Sequence, residues 1–339
     1  MNRLAPSHIS CYNTYEVWFG LLFFREVHIL NKRLDEAMRE WLVNYKRNTV
    51  KVSTYDRLEI SYKLMLRYSI SSERLDRLNS DDIQSYLNAL VDDGYSLSTI
   101  KKQLTLLTSY LKYAYSRSDI KLPIYMGVRL PVREKVKKPA KEIEAYNPIE
   151  QKKLMSVLTT LRHRQYCAIV LMMENGLRAG EALALKWCDI DWERRAIRIN
   201  KTVVRIGTKN KSTFVQDGAK SKSSNRRIPL SSKAYDILQR TATEFDRKSE
   251  YIFYDENEPS KPATYDQLRW RLKSVCKKAE VPYKGNHALR HTFATNCYSR
   301  GCDVKILSKL LGHADVSITY NIYIHLYGDA LEEMRSVIG

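Results

Sequence analysis

The sequence predicts a mainly helical protein of two domains, the second of which carries a small antiparallel β-sheet. The chain has 339 residues with 44% hydrophobic content, enough for each domain to bury its own core. Helical periodicity, almost free of glycine and proline, runs from Leu34 to Arg117, and β-branched alternation follows between Arg194 and Lys233. From Tyr235 onward the pattern is helical again. We therefore expect an N-terminal helical domain and a C-terminal α+β domain.

Residues 1–33 form an N-terminal segment without a clear pattern. Their apolar stretch "VWFGLLFF", residues 17–24, is far shorter than the ~20 residues that span a bilayer. The residues before it are barely basic and no small-residue cleavage site follows, which is not typical of a signal peptide. We expect no membrane partner and assign the segment no function.

The first domain is predicted over residues 34–120, with four or five helices. In "STIKKQLTLLTSYLKYAYSR" the apolar residues fall on one helical face and the lysines lie off it. This face consists of Ile100, Leu104, Leu107, Leu111 and Ala114. Ser98 is the predicted N-cap, and "NSDDIQSYLNAL" predicts a further helix before this one.

An extended basic linker is predicted over residues 121–145. The stretch "KLPIYMGVRLPVREKVKKPAKE" contains three prolines and a cluster of Lys and Arg. Such a composition is typical of a linker that is charged for solubility, or of one that lies along DNA.

The second domain, residues 146–328, begins with a helix and contains the strands. Asn147 is the predicted N-cap and Pro148 the first helical residue of "NPIEQKKLMSVL". Strands are predicted in "RAIRINKTVVRI" and "SNRRIPL". The window from Arg194 to Lys233 holds twelve Lys or Arg and one acidic residue, which is +11 of the net charge of +19. A basic ribbon of two or three strands is well shaped to lie in a DNA groove.

The overall charge favours a polyanionic partner. The chain has 57 Lys and Arg against 38 acidic residues, and its pI is near 9.5. Basic side chains that neutralise phosphates release counterions, so nucleic acid is the simplest partner. A solvated basic surface without a partner is the alternative.

Four stretches of the second domain combine cations and hydrogen-bond donors with an apolar helical context. They are "NGLRAGEALALKW" (175–187), "GAKSKSSNRRIPL" (218–230), "HALRHTFAT" (287–295) and "LGHADVSITYNIYIH" (311–325). Arg178 lies among apolar helical residues, so its guanidinium needs a partner, which is either Glu181 or a bound phosphate. At the spacing i, i+3, His287 and Arg290 project from the same side of a helical turn and can converge on one anion.

A metal site at His287, His291 and His313 is the competing interpretation. Catalytic metal centres usually include carboxylate or cysteine ligands, and no acidic cluster lies near these histidines in the sequence. The six cysteines are scattered, without the two-residue spacing of zinc and redox sites, which predicts reduced thiols in a cytosol. We therefore expect no metal and no cofactor.

Arginines, histidines, a lysine and a tyrosine without metal ligands suit attack on a phosphodiester. Guanidinium groups hold the non-bridging oxygens and offset the charge of the transition state. A tyrosine with its usual pKa of ~10 is a weak nucleophile, and an anion-stabilising pocket with a nearby base activates it. Helical spacing does not choose among Tyr320, Tyr323 and Tyr327, because they share one face.

These stretches, in this order, resemble the motifs of the tyrosine recombinase (phage integrase) family, with gaps, from about Leu34 to the C-terminus. "GLRAGEALALKW" is similar to the first arginine box, "HALRHTFAT" to the histidine-x-x-arginine box, and "LLGHADVSITYNIYIH" to the terminal box, whose nucleophile is the tyrosine two residues before a histidine. The family's lysine lies in the turn of the basic hairpin before an "IPL"-like strand, which matches Lys220, with Lys222 as second choice. The resemblance implies the catalytic set Arg178, Lys220, His287, Arg290, His313 and Tyr323.

Further residues are expected to support this set or to bind DNA. The supporting residues are Glu181, His291 and His325, and His313 is expected to act as a hydrogen-bond donor. The expected DNA-binding residues are Lys101, Lys102, Arg133, Lys137, Lys138, Arg205, Lys222 and Arg226.

The resemblance implies a site-specific DNA recombinase that cleaves and rejoins strands through a 3′-phosphotyrosine intermediate, integrating or excising a mobile element. The first domain then corresponds to a core-binding (SAM-like) domain and the second to the catalytic domain, most like integrases of phages and conjugative transposons. The alternatives are Xer-like resolution of chromosome or plasmid dimers and a DNA-binding regulator without catalysis. Type IB topoisomerases use similar chemistry.

The implied partners are double-stranded recombination sites, a homotetramer assembled on DNA, and an accessory DNA-bending or directionality factor. Residues 329–339 put apolar side chains on one side of a helix, which either packs on a neighbouring protomer or closes its own domain. We expect no separate arm-binding domain in the first ~45 residues, which are too short and too unpatterned for one, so either the protein lacks this domain or the chain is a shortened version. The expected location is the bacterial cytosol, at the nucleoid.

Overall fold

The computed structural model describes residues 32–136, 144–207, 212–217, 225–245, 248–313, 315–317 and 319. The chain divides into two compact units, Met1–Lys141 and Glu142–Gly339. Among the described residues, no helix has both the length and the apolar composition that crossing a membrane requires.

The first unit is helical. Its helices are α1 (Leu34–Trp41), which continues through a π-helical turn (Leu42–Lys46) into Arg47–Thr49, then α2 (Val52–Met65), α3 (Ser80–Asp92) and α4 (Leu97–Ser116). A 3₁₀ turn, Ser69–Ser72, lies between α2 and α3. The predicted N-cap of α4 was wrong by two residues, because the hydroxyl of Ser96, not that of Ser98, accepts from the backbone N–H of Thr99 at 3.3 Å.

The amphipathic face predicted for α4 is confirmed. Ile100, Leu107, Leu111 and Ala114 are fully buried, and Leu104 packs against the same core. The core also takes in the π-helical turn and α3, where the hydroxyl of Tyr86 donates to Oε1 of the buried Gln103 at 3.1 Å. Apolar burial on this scale is the main force that holds the unit together.

Residues 121–136, which were predicted to be an extended linker, pack within the first unit instead. The hydroxyl of Ser80 donates to the carbonyl of Ile124 at 2.7 Å, and the backbone N–H of Arg129 donates to Oε1 of Gln84 at 2.9 Å. Val128 is buried with this core. These contacts satisfy backbone groups that a free linker would leave to water.

The second unit is built around one buried helix. Its helices are α5 (Pro148–Thr160), α6 (Arg164–Asn175), α7 (Ala179–Leu183), α8 (Ser232–Glu244), α9 (Tyr265–Lys278), α10 (Asn286–Ser299) and α11 (Val304–Leu311). Helix α6 is apolar and buried along most of its length, and α8, α9 and α10 pack around it. The predicted start of α5 is confirmed: Asn147 Oδ1 accepts from the N–H of Glu150 at 2.9 Å, with Pro148 as the first helical residue.

Two small antiparallel sheets complete the second unit, where the sequence predicted one. Strands β1 (Ile190–Asp191), β2 (Ala196–Ile199) and β5 (Arg226–Pro229) form a sheet in the order β1-β2-β5, and β3 (Lys201–Ile206) pairs with β4 (Ser212–Asp217). Ile197 lies opposite Ile228 in the first sheet, and both are buried. The buried faces of both sheets contribute to the same core as α6.

Gly176 lets three helices meet. It ends α6 with φ +68°, a backbone conformation that glycine adopts without strain. A Cβ at this position would lie 2.3 Å from Cδ1 of Phe293 on α10 and 3.1 Å from Cδ2 of Leu311 on α11. The carboxyl end of α6 can therefore approach α10 and α11 only because residue 176 has no side chain.

We expect Gly176→Ala to lower the free energy of unfolding by about 2–4 kcal/mol, from left-handed backbone strain plus the clash with Phe293. Gly301→Ala is the matched control, because Gly301 belongs to the same unit and has φ +78°, but no heavy atom of the described residues lies within 4 Å of its Cβ position. The control carries the strain alone, about 1 kcal/mol. Equal losses in urea unfolding would show that the close approach at Gly176 is unimportant.

Candidate active site

Three arginines from separate segments meet one carboxylate in the second unit. Arg178 is the N-cap residue of α7, Arg226 begins β5 and Arg290 lies on α10. Glu181, in the first turn of α7, is the carboxylate they share, and its side chain is 5% exposed. We call these four residues the arginine cluster.

Glu181 is the centre of the arginine cluster. Arg226 donates from Nη1 to Oε1 at 3.0 Å and from Nη2 to Oε2 at 2.9 Å, which is a two-pronged pair. Arg178 donates to Oε1 from Nη1 at 2.8 Å and to Oε2 from its backbone N–H at 2.9 Å. Burial alone would raise the pKa of Glu181, but the hydrogen bonds and charge of Arg226, with the charge of Arg178, lower it to about 2.

The carboxyl end of α11 is the second anchor of the arginines. Arg226 Nε donates to the carbonyl of Leu310 at 2.6 Å, and Arg290 Nη2 donates to that of Leu311 at 2.6 Å. Arg178 Nη2 donates to the carbonyl of Gly312 at 2.9 Å. The last carbonyls of a helix have no partner within it and carry partial negative charge, so guanidinium donors satisfy them well.

The cluster has an excess of positive charge. Among the described residues, three guanidinium groups face one carboxylate. The side chains of Arg226 and Arg290 are only 7% exposed, whereas that of Arg178 is 33% exposed. Burial and the charge of Arg178 lower the pKa of Arg290 to about 9, so it stays a cation at neutral pH. Arg178 is therefore the arginine most open to an incoming anion.

Three histidines lie beside this charge and are neutral at pH 7. Burial, followed by the charges of Arg290 and Arg178, lowers the pKa of His313 to about 4. The pKa of His287 is lowered by desolvation and by Arg290, and that of His291 by burial and by His287. Neutral imidazoles can accept a proton, so His287 and His291 are candidate bases, whereas both ring nitrogens of His313 have partners in Arg290 and Thr319.

His313 accepts a hydrogen bond from Arg290, and the donor role expected for it stays a prediction. Its Nε2 lies 2.9 Å from Nη2 of Arg290, and its Nδ1 lies 2.8 Å from Oγ1 of Thr319. A guanidinium has donors only, so Nε2 is the acceptor in the first of these contacts.

The arrangement suits the binding of a phosphate ester. Guanidinium forks match the geometry of phosphate oxygens, and a buried excess of positive charge is worth more there than in water. No group of three or more His, Cys, Asp or Glu side chains that could hold a metal ion is found in the part of the chain that the structure describes. In the candidate site, the positive charge that could face a phosphate is that of the three arginines.

The structure brings together six of the residues predicted from the sequence, namely Arg178, Glu181, His287, Arg290, His291 and His313. Arg178 caps α7 rather than lying within a helix, because Gly176 ends α6 two residues before it. Four further predictions, Lys220, Lys222, Tyr323 and His325, lie outside the described residues.

The residues expected to bind DNA differ in their placement. Lys101 and Lys102 on α4 and Arg133 in the 3₁₀ turn Arg133–Lys135 are exposed, whereas Lys137 and Lys138 lie outside the described residues. Arg205 on β3 is partly exposed, with its Nη1 3.5 Å from Oδ1 of Asp266. 

Arg226 does not lie on a DNA-accessible surface as expected, because its guanidinium is buried in the arginine cluster. The sequence holds a signal for this placement. Side chains alternate along a strand, so Arg226 shares a face with the buried Ile228 while Arg227 points outward. Sequence reasoning also missed Thr319, since only the fold shows that its hydroxyl meets His313.

We expect Arg226→Met to lower the free energy of unfolding by about 3 kcal/mol, because it removes the two-pronged partner of a buried carboxylate. Arg227→Met, on the exposed side of the same strand, should change it by less than about 0.5 kcal/mol. Chemical denaturation measures both. If the two variants unfold at the same denaturant concentration, Arg226 is not needed to hold Glu181.

The fold agrees with that of the proteins to which the chain is similar. Residues 147–329 match the Phage integrase family, and residues 61–118 match the N-terminal SAM-like domain of phage integrases. The structure of the Tn1549 transposon integrase in complex with transposon right end DNA is 22% identical, with a TM-score of 0.74, and the similarity covers 91% of this chain and 100% of that one. The predicted fold class, a SAM-like helical domain followed by an α+β catalytic domain, is confirmed.

Two relatives extend over most of the sequence. The XerC-like tyrosine recombinase of Caldanaerobacter subterraneus subsp. tengcongensis is 29% identical, over 86% of this chain and 79% of that protein. The integrase of Staphylococcus phage L54a is 26% identical, over 85% of this chain and 87% of that protein. Because the family match takes in more than half of its residues, the chain belongs to the phage integrase family, whose members cleave and rejoin DNA strands.

Proposed function

We propose that this protein is a site-specific recombinase that integrates or excises a mobile DNA element through Tyr323. The observation that carries the proposal is the arginine cluster, in which three described guanidinium groups surround one buried carboxylate beside neutral histidines. Similarity to a phage integrase and a transposon integrase supports the mobile-element role.

Arg178 and Arg290 hold the scissile phosphate in this mechanism. Arg178 is the more exposed of the two, and its contacts with Glu181 and Gly312 fix the direction of its fork. Both groups are oriented before substrate arrives, so little reorganisation is needed as negative charge builds on the phosphate oxygens.

The chemical step is a transesterification. The hydroxyl oxygen of Tyr323 attacks phosphorus, its proton passes to a neutral imidazole such as His287, and the bond from phosphorus to the 5′ oxygen breaks. Lys220 protonates that leaving oxygen. The 3′-phosphotyrosine bond conserves the energy of the broken ester, so attack by a 5′ hydroxyl reverses the step and reseals a strand.

Exposed basic residues bind the duplex outside the cluster. We assign this role to Lys101, Lys102, Arg133, Lys137, Lys138, Arg205 and Lys222. Contacts of lysine and arginine with the DNA backbone release counterions, so affinity falls with salt in proportion to their number. Action on cellular DNA implies a location in the bacterial cytosol, at the nucleoid.

Strand exchange requires an assembly. Two duplexes are recombined and each presents two cleavage positions, so the working unit is a homotetramer on DNA, with residues 329–339 packing on a neighbouring protomer. An accessory DNA-bending or directionality factor acts with it. Similarity to a XerC-like recombinase over 86% of the chain favours one second candidate, resolution of chromosome or plasmid dimers by the same chemistry.

Nicked suicide DNA substrates test the nucleophile. The wild-type protein should form a covalent adduct that withstands detergent, and Tyr323→Phe should form none, because the phosphorus is attacked by that hydroxyl alone. Tyr320→Phe is the matched control and should keep most of the adduct yield. Equal yields from wild type and Tyr323→Phe would remove the assignment, and no adduct from any protein would favour a DNA-binding regulator.

A substrate with sulfur in place of the leaving 5′ oxygen tests Lys220. Sulfur leaves without a proton, so Lys220→Ala should cleave this substrate at nearly the wild-type rate while losing about 100-fold or more on the oxygen substrate. Lys222→Ala serves as the control and should cleave both substrates. Rescue of Lys222→Ala instead of Lys220→Ala would move the acid role to Lys222.

A further inference from the structure

Both ring nitrogens of His313 have partners, and those partners determine where its proton lies. Nε2 is 2.9 Å from Nη2 of Arg290, and Nδ1 is 2.8 Å from Oγ1 of Thr319. Since the guanidinium can only donate, Nε2 must carry a lone pair. A neutral imidazole then carries its proton on Nδ1, which donates to the Thr319 hydroxyl.

Thr319 is well suited to hold this arrangement. It is fully buried, at 0% exposure, so water does not replace its hydroxyl as the acceptor. Without that hydroxyl, the Nδ1–H of His313 would lose its partner, and the other tautomer would place an N–H against the donors of Arg290.

The hydrogen bond between Thr319 and His313 also affects Arg290, because His313 contacts that arginine. Nη2 of Arg290 donates both to Nε2 of His313 and to the carbonyl of Leu311 at 2.6 Å, while Nη1 donates to the carbonyl of Gly176 at 2.9 Å. These three acceptors fix the plane of the guanidinium. If the His313 ring turned or changed tautomer, one of the three would be lost.

We propose that Thr319 is a positioning residue for strand cleavage, which holds His313 as an acceptor and thereby fixes the guanidinium of Arg290 toward the scissile phosphate. The part that concerns cleavage rests on the proposed function. The tautomer of His313 does not, and it can be measured without DNA.

The first measurement is ¹H–¹⁵N correlation NMR of the full chain labelled on histidine, with the His313 signals identified by their loss in His313→Gln. At pH 7 the wild type should show a protonated Nδ1 and an unprotonated Nε2. In Thr319→Val, which keeps the shape but removes the hydroxyl, this pattern should invert or become mixed. Thr319→Ser, which keeps a hydroxyl, should restore it.

The second measurement is the rate of covalent adduct formation at saturating DNA. Thr319→Val should lower it about tenfold, the effect of one hydrogen bond in a buried network, with DNA affinity unchanged. Thr319→Ser should stay within about threefold of wild type. Thr241→Val is the matched control, because Thr241 is also buried and its described contacts, the carbonyl of Ile237 and the thiol of Cys167, include no residue of the arginine cluster. It should change neither the tautomer nor the rate.

The outcomes test the positioning role of Thr319 separately from the proposed recombinase function. An unchanged His313 tautomer in Thr319→Val overturns the positioning role, whatever the rate does. A changed tautomer with an unchanged rate of adduct formation also overturns the positioning role. An inverted tautomer in a protein whose wild type forms no adduct would refute the proposed function while confirming the Thr319 contact. If Thr319→Val fails to fold, a wild-type His313 with its proton on Nε2 still overturns the proposal.

Discussion

The candidate site depends on the hydrogen bonds that three arginines donate to Glu181 and to the carboxyl end of α11. Arg178, Arg226 and Arg290 would repel one another if they were gathered without compensation. One buried carboxylate and three successive carbonyls, from Leu310 to Gly312, supply acceptors to all three. The acceptors lie on α7 and at the end of α11, and the arginines lie on α7, β5 and α10. All four elements must therefore be in place before the cluster forms.

The arginine cluster serves the function of the protein rather than its stability. Buried ion pairs rarely stabilise a fold beyond what well-packed apolar residues would achieve, because desolvation offsets their attraction. Among the described residues, three arginines also surround a single acidic partner, which no argument from stability would require. A bound anion such as a phosphodiester would balance the positive charge of the arginines. The arginines stabilise the phosphate most in the transition state, where its negative charge is greatest.

The sequence predicted local features well and distant ones poorly. The N-cap Asn147, the buried face of α4 and the pairing of Arg178 with Glu181 all involve residues a few positions apart, so periodicity and spacing reveal them. The burial of Arg226 depends on Glu181, 45 residues before it, and on the carbonyl of Leu310, 84 residues after it. Backbone carbonyls have no sequence signature, so strand alternation can indicate that Arg226 faces inward but not which groups it binds.

The charge state of the site is constant over the physiological pH range. Arginine stays protonated, and the pKa of Glu181, lowered to about 2, keeps that carboxylate ionised far below neutrality. His313, with its pKa lowered to about 4, stays neutral until the pH falls well below 6.5. Protonating it would place a further positive charge beside Arg290 and remove the acceptor at Nε2, so acid would weaken the cluster. A site whose cations and acceptors are fixed in this way needs no proton uptake before a phosphate binds.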